Sequence, residues 1–557
     1  MNYEIWKSNV KDEGLLNQLN NMSEDEIEYA FDGNLKFGTA GLRGKMGPGT
    51  NAMNVYTVAK ATQGVANYIK SQGKEDVGVL VAYDSRNNSK KFATVTANIL
   101  IDNGIKVYTF DKIKGVPQTS FGIRHLQCFF GIIITASHNP KIYNGYKAFD
   151  ANGSQLGPKV ADVIMGYMDK VDEFDPSIRV EGEVLSDKAI IVDDVVLDAY
   201  YAKIAELAKE KNIEGSDDIN VVYTPLYGAG MIPATHILNM CGFTNVKVVE
   251  EQKLPNGDFP GLEQPNPEKL SCYKMVKEYA DENTDLILAT DPDCDRLGVM
   301  VRNDDDQFVL LTGNQVGCLI FDYLIKNSEI KENSFAVRSI VSTNLVDKMA
   351  DKAGIEMLKV LTGFRYIAGK IAEIHDTKQG NFFFGFEESN GYLTGDFVRD
   401  KDGCMSALLM CAATSYYKKR GEKIYDVLMD LYKEFGVTMD ESISFQFEGV
   451  KGKEVMNQIM RDMEKNFDPF ETETYYMKNY NTLERKFRDG HITPVLAKKA
   501  DVLIWILSDG NRVVLRPSGT EPKVKFYITC VGVDEEKVHV IFDNYKRQVN
   551  EIISKYL

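Results

Sequence analysis

The chain has 557 residues, enough for about three to five domains; with 44% hydrophobic and 26% charged residues it has the balance of an ordinary soluble globular protein. A formal net charge of −16 argues against a nucleic-acid binder, which would carry a basic stripe, but allows a locally basic site for an anionic small molecule. The opening Met1-Asn2-Tyr3-Glu4-Ile5-Trp6-Lys7 lacks the basic start and apolar stretch of a secretory signal, and no apolar run approaches the roughly 18 residues of a membrane span.

The eight cysteines are scattered and form no Cys-x-x-Cys pair, so neither zinc nor a disulfide framework is expected, and a reducing cytoplasm is. Strand-like and helix-like stretches alternate, which predicts α/β domains on mostly parallel sheets. Residues 77–83 read as a strand ending at Asp84-Ser85-Arg86, 90–103 as a helix, and 107–110 and 129–134 as further strands. The alternation restarts near Ile219, with strands at 219–223, 246–249 and 285–289, and again near Leu311, with strands at 335–341 and 382–386. Three similar α/β units in a row are therefore expected. Residues 405–435 look helical and form a joint, while 465–498 are polar, mixed in charge and carry no assigned element. Strands at 502–507, 513–515 and 524–531 with a helix at 535–556 make a smaller α+β domain.

Several strand-end loops carry chemistry. Phe37-Gly38-Thr39-Ala40-Gly41-Leu42-Arg43-Gly44-Lys45 has the glycines and cations of a loop that approaches phosphate, although by itself it reads equally as a flexible turn. Thr135-Ala136-Ser137-His138-Asn139-Pro140 puts a serine beside a histidine at the carboxyl end of a buried strand, where ligands bind in open α/β sheets. Ser137 is a candidate nucleophile, His138 a candidate proton carrier, and Lys147 a second candidate base if a nearby charge lowers its pKa. In Asp291-Pro292-Asp293-Cys294-Asp295-Arg296, three carboxylates at alternate positions repel one another unless a cation sits between them, and all-oxygen ligation suits Mg²⁺. Gly385-Phe386-Glu387-Glu388-Ser389-Asn390-Gly391 can hold sugar hydroxyls, though alone it also reads as a charged turn capping a helix. Arg516-Pro517-Ser518-Gly519-Thr520-Glu521-Pro522, with Lys523 and Lys525 beyond it, can converge amides, hydroxyls and a bidentate guanidinium on an oxyanion.

Together these loops resemble, in order and over essentially the whole chain, the α-D-phosphohexomutase superfamily of phosphoglucomutases and phosphomannomutases. The Gly38-Thr39-Ala40-Gly41-Leu42-Arg43 opening is most similar to the branch of bacterial α-phosphoglucomutases, animal phosphopentomutase and glucose-1,6-bisphosphate synthase. The resemblance implies four domains around a central cleft: α/β domains at 1–195, 196–310 and 311–435, then a TATA-binding-protein-like α+β domain at 436–557. It implies that Ser137 carries a phosphoryl group through a sugar bisphosphate, which serves as intermediate and activator. One Mg²⁺ would be held by Ser137, Asp291, Asp293 and Asp295. Arg43, His138 and Lys147 would flank the serine, with Lys147 the preferred base and His138 a positioning group. Arg296, Thr362, Gly363, Glu387, Ser389, Lys401, Arg516, Ser518, Gly519, Thr520 and Lys525 would bind substrate.

The implied reaction interconverts glucose 1-phosphate and glucose 6-phosphate; mannose and pentose phosphates are the alternatives within the class. An aspartyl-nucleophile phosphatase acting through Asp291 and a non-catalytic sugar-phosphate binder are the alternatives outside it. The expected partner is a phosphorylated hexose or pentose, with no nucleic acid and no membrane, and the expected state is a monomer or small homo-oligomer. The chain departs from the family pattern at Phe386, Asn390-Gly391, Lys525 and Phe364, which leaves the chemistry intact and bears on which sugar is taken.

Overall fold

A computed structural model describes residues 2–38, 41–447, 451–518 and 523–557, with Lys451 by its backbone only. Three helices, Asn2–Asn9, Glu13–Asn20 and Glu24–Phe31, precede the first sheet. They dock through Trp6, which is buried edge-on against Phe31, Tyr56 and Phe174.

The first sheet contains β1 (Leu42–Lys45), β2 (Val79–Tyr83), β3 (Val107–Thr109), β4 (Phe130–Ile134), β5 (Tyr143–Asp150) and β6 (Ile190–Ile191), in the order β1-β5-β4-β2-β3-β6. The second contains β7 (Val221–Thr224), β8 (Val246–Val248), β9 (Leu286–Thr290), β10 (Leu297–Arg302) and β11 (Phe308–Leu310), in the order β11-β10-β9-β7-β8. The third contains β12 (Ser334–Ser339), β13 (Glu356–Val360), β14 (Asn381–Glu387) and β15 (Gly391–Leu393), in the order β13-β12-β14-β15.

The expected repeat is visible in this topology. The runs β3-β2-β4-β5, β8-β7-β9-β10 and β13-β12-β14-β15 each place the unit's first strand in the middle, two parallel strands beside it, and an antiparallel strand outside. Every residue of β2, β4, β7 and β9 is buried, as continuous apolar strands covered on both faces should be. In each unit the chain reverses direction across the sheet beside its first strand, which opens a crevice at the carboxyl ends. The equivalent strands β4, β9 and β14 deliver Ser137, Asp291 and Glu387 to that edge.

The helical stretch after the third sheet forms helices Gly403–Lys418 and Ile424–Phe435, and the first is buried along nearly its whole length. Its apolar residues share one core with both the second and third sheets, so the joint is a packed wall.

The last sheet is antiparallel and contains β16 (Val437–Gln446), β17 (Thr474–Asn479), β18 (Glu484–Phe487), β19 (Ile492–Pro494), β20 (Leu503–Leu507), β21 (Arg512–Pro517) and β22 (Lys523–Gly532). The polar stretch 465–498 thus holds three strands that its sequence did not announce. β18 and β19 alternate exposed and half-buried residues, and β17 buries only Thr474 and Met477, so no apolar run marks them. Helices Lys451–Lys465 and Glu535–Ser554 pack against this sheet. The sheet is fastened to the third unit by Val514, Ile504 and Tyr527 against Ile340, Val341 and Leu361. Arg512 adds hydrogen bonds to Ile340 O (3.1 Å), Ser342 O (2.9 Å) and Asn344 Oδ1 (3.0 Å).

Candidate active site

Ser137 sits just beyond β4 with φ 54°, a left-handed conformation that costs a non-glycine residue about 1–2 kcal/mol. Its hydroxyl donates to Asp291 Oδ2 at 2.8 Å, and its Oγ lies 3.1 Å from His138 Nδ1. With the serine proton committed to the carboxylate, the network assigns His138 the tautomer that donates from Nδ1. Burial and then the charges of Arg296, Arg43, Arg86 and Lys147 push the imidazole well below its ordinary pKa, so it is neutral. A neutral imidazole with so low a pKa is a weak proton acceptor. Arg43, on β1, lies opposite Gly145 of β5 and reaches Asn139 Oδ1 at 3.5 Å.

The carboxylates of Asp291, Asp293 and Asp295 converge on one buried point, each offering an oxygen within 4.8 Å of the others. Backbone bonds from all three units hold their loop. Val116 N donates to Asp293 O (2.8 Å), Ala229 N to Pro292 O (2.8 Å) and Gly403 N to Cys294 O (3.1 Å). A Cβ on Gly403 would come 2.7 Å from Cys294 O, so only glycine allows this approach. Burial, then repulsion from Asp293 and Asp295, raises Asp291 well above the usual carboxylate pKa. Burial would raise Asp295 too, but Lys147, Lys401 and Arg296 hold it low.

Asp293 Oδ1 and Asp295 Oδ1 are buried without a hydrogen-bond partner. Orphaned oxygens on carboxylates that converge in this way fit a hard divalent cation with oxygen ligands, so the donor set suits Mg²⁺. Lys147 reaches Asp293 Oδ2 at 2.6 Å and Asp295 Oδ2 at 3.2 Å. Burial alone would lower its pKa; the two carboxylates win and raise it. The condition set for Lys147 as a base, a neighbour that lowers its pKa, is therefore not met, and Lys147 here is an ammonium.

The sugar loop faces this centre. Glu387, at the end of β14, accepts from Gly363 N at 2.5 Å; burial pushes its pKa up to about 7 against the pull of Lys401. Lys401 Nζ bridges Asp295 (3.2 Å) and Asp400 (3.1 Å), which joins the sugar and metal loops. Its stem crosses Gly391, where a Cβ would meet Lys401 Cδ at 1.9 Å. Arg296 pairs with Glu268 at 2.5 Å. Thr362 Oγ1 is buried without a partner, and Ser389 is half-buried beside Glu388, whose carboxylate accepts from Ser339 (2.9 Å) and Ser342 (3.2 Å).

Two departures from the family pattern have structural roles. Phe386 is fully buried, stacked on Phe384 and packed over Gly317. Asn390 braces the loop by exchanging bonds with Leu297, Nδ2 to O at 2.9 Å and O from N at 3.0 Å.

Arg516 and Lys525 lie directly opposite one another on β21 and β22. Like charges in register destabilise a sheet unless an anion joins them. Burial lowers Lys525, opposed by Glu388 and Glu268, so this end of the sheet faces the sugar loop. Ser518 N donates to Lys523 O at 2.7 Å; Gly519 and Thr520 lie outside the described residues. Sequence reasoning missed Asp84, Arg86 and Arg512. The first two had a signal, their place after a buried strand beside the one that delivers Ser137.

A left-handed serine bonded to a buried carboxylate trio, and two cations in register on β21 and β22, are parts that phosphoryl transfer uses. Models of the phosphoglucomutase/phosphomannomutase α/β/α domains I, II and III match residues 34–175, 198–304 and 312–435. A phosphoglucomutase of Staphylococcus haemolyticus is 34% identical over 522 residues, covering 93% of this chain and 94% of that protein. One from Staphylococcus epidermidis is 34% identical over 554 residues, covering 98% of each. Among solved structures, a putative phosphomannomutase from Thermus thermophilus superposes with a TM-score of 0.69 at 18% identity, covering 93% of this chain and 99% of that one. The open form of parafusin, a phosphoglucomutase from Paramecium, gives 0.67 at 19% identity, covering 94% and 95%. This chain belongs to the phosphoglucomutase/phosphomannomutase family.

Proposed function

We propose that the chain interconverts glucose 1-phosphate and glucose 6-phosphate, with Ser137 as the phosphoryl carrier. The observation that carries this reading is the Ser137 hydroxyl 2.8 Å from Asp291 in a trio with orphaned oxygens. Phosphoserine 137 gives its phosphoryl group to the free hydroxyl of a sugar monophosphate: the bond from phosphorus to Oγ breaks and one to the sugar oxygen forms. The sugar bisphosphate reorients, and its other phosphate returns to Ser137. Such transfers depend on positioning and charge neutralisation.

Asp291, Asp293 and Asp295, with a phosphoserine oxygen, would hold one Mg²⁺, which when bound neutralises charge on the transferring group. Arg43 and Lys147 add positive charge beside it. Lys147 would relay the proton: its ammonium protonates Ser137 Oγ as that oxygen leaves phosphorus, and the amine so formed takes the proton of the attacking sugar hydroxyl, the same exchange running in reverse when the other phosphate returns. Glu387, Ser389 and Thr362 accept and donate to sugar hydroxyls, while Arg516, Ser518, Lys525 and the adjoining Gly519 and Thr520 grip the phosphate that is not reacting. That remote grip serves either sugar orientation and supplies binding energy for the transfer. The free cysteines suit a reducing cytoplasm, and no helix among the described residues is long and apolar enough to cross a membrane.

The test is a coupled assay with Mg²⁺ and catalytic glucose 1,6-bisphosphate, comparing glucose, mannose, ribose and N-acetylglucosamine 1-phosphates. Glucose 1-phosphate should be turned over fastest, and Ser137→Ala should abolish turnover in a folded protein. Near-normal activity in that variant would sink the mechanism.

A further inference from the structure

We propose that Arg86 is a positioning residue for the phosphoryl carrier, holding Ser137 in its left-handed conformation and placing a buried positive charge behind the phosphoryl group. The proposal rests on Ser137 being that carrier.

Arg86 follows β2, the strand beside the one that delivers Ser137, and is 3% exposed. Its guanidinium gathers four carbonyls of the nucleophile turn. One terminal nitrogen donates to Ser137 O at 2.6 Å and to Asn139 O; the other donates to Pro140 O at 3.0 Å and Tyr143 O at 3.1 Å. A planar fork can serve several acceptors at fixed angles, which an ammonium cannot. The amide side of Ser137 is pinned as well, its N–H donating to Thr135 Oγ1 at 2.8 Å.

Both peptide groups of the strained residue are therefore fixed, and one carboxylate organises both pins. Asp84 accepts from Thr135 Oγ1 at 2.6 Å and from Arg86 N at 2.9 Å, with its Oδ2 3.6 Å from Arg86 Nε. Backbone strain of this kind persists only where the surroundings over-determine it.

The same geometry has an electrostatic side. Arg86 has no bidentate carboxylate partner, and its Nε is buried without a hydrogen bond. The Phe259 ring, 5.0 Å from the guanidinium, helps to keep water away. With the carbonyls turned inward onto Arg86, Ser137 Oγ points out to Asp291 and His138. Asp84, 3.6 Å from Nε, offsets part of the Arg86 charge, and the remainder behind the serine favours the phosphorylated form over the free hydroxyl. Arg86 touches no reacting atom, so its effect runs through Ser137.

The test uses the full-length protein with Mg²⁺, comparing wild type, Arg86→Lys and Arg86→Met. The readouts are kcat, KM for glucose 1-phosphate, and the fraction of Ser137 phosphorylated at a fixed concentration of glucose 1,6-bisphosphate, read by phosphopeptide mass spectrometry. The lysine variant should lose about 10- to 100-fold in kcat, as expected for a small misplacement of a reacting group, with KM within about threefold. Phosphoserine occupancy should fall further in the methionine variant. A purely structural role would lower the folded fraction while leaving kcat per folded molecule intact, and that result overturns the proposal. So does wild-type kcat and occupancy in Arg86→Lys. If neither arginine variant folds, Thr135→Val, which removes the amide-side pin together with the hydroxyl's bonds to Asp84 and Asp293 (3.2 Å), must give the same kcat-selective loss with Mg²⁺ affinity unchanged or the proposal fails. If wild-type Ser137 carries no phosphate, the carrier reading itself is wrong and the inference falls with it.

Discussion

Replacing Glu387 by glutamine should make the protein more stable and less active at the same time. Glu387 is 5% exposed, and its pKa is raised from 4.5 to about 7 by burial, against the pull of Lys401. Because the folded-state value lies above the unfolded one, the stabilisation that the neutral carboxyl gives is complete below about pH 4.5 and is lost as pH rises through about 7. At about 1.4 kcal/mol per pH unit, the ionised side chain costs about 3 kcal/mol at pH 8 and under about 1 kcal/mol at pH 5. Glutamine stays neutral at both and keeps an oxygen for Gly363 N, while Lys401 keeps Asp295 and Asp400 at 3.2 and 3.1 Å. Denaturant unfolding at pH 5 and pH 8 reads the effect. A chain of several domains need not unfold in two states, so the sign of the midpoint shift and its pH dependence carry the test. Glu387→Gln should unfold later than wild type at pH 8 and nearly together with it at pH 5. It should lose about 10- to 100-fold in kcat/KM, because a charged acceptor for a sugar hydroxyl is worth about 1.5–3 kcal/mol. Earlier unfolding at pH 8, or an equal shift at both pH values, would refute the reasoning.

Asp293→Asn removes one of the three converging carboxylates and the 2.6 Å partner of Lys147. Calorimetric titration with Mg²⁺ should show affinity weakened at least about tenfold, and unchanged affinity would contradict the assignment of the metal loop. Arg512→Met removes the buried guanidinium, whose pKa burial and Arg338 push down to about 10, from between the third and fourth units. Loss of its bonds to Ile340 O, Ser342 O and Asn344 should destabilise that interface by about 2–4 kcal/mol. Faster hydrogen exchange at 339–344 and a raised KM would follow, and unchanged exchange there would show that the apolar contacts suffice alone.

The parts legible in the sequence are those where an apolar run meets turn formers. The strand before Thr135-Ala136-Ser137-His138-Asn139-Pro140 was expected at 129–134 and runs Phe130–Ile134; the metal-loop strand was expected at 285–289 and runs Leu286–Thr290. Both are buried on both faces, so their apolar pattern is continuous. The strands β17 to β19 were not legible: β18 and β19 alternate exposed and half-buried residues at the end of the sheet, and β17, inside it, buries only two of its six residues, so no apolar run forms. The place of Arg86 after a buried strand is legible, but its role is not: its partners are backbone carbonyls, which leave no trace in residue identity. The state of Lys147 was equally hidden, since it depends on carboxylates that a different unit brings to within 2.6 and 3.2 Å. Phe386 shows the reverse case. Its departure from the family pattern bears on sugar choice when read as a string, yet its ring lies in the core beneath Gly317.

The central claim is that Ser137 passes its phosphoryl group to a sugar phosphate. The most direct measurement is a single turnover: the protein is labelled on serine with radioactive phosphate, freed of small molecules, and mixed with glucose 1-phosphate and Mg²⁺. The account predicts that the label leaves Ser137 and appears in glucose 1,6-bisphosphate, then in glucose 6-phosphate, at a rate no slower than steady-state turnover. Label that stays on the protein, or leaves only as inorganic phosphate, would contradict it.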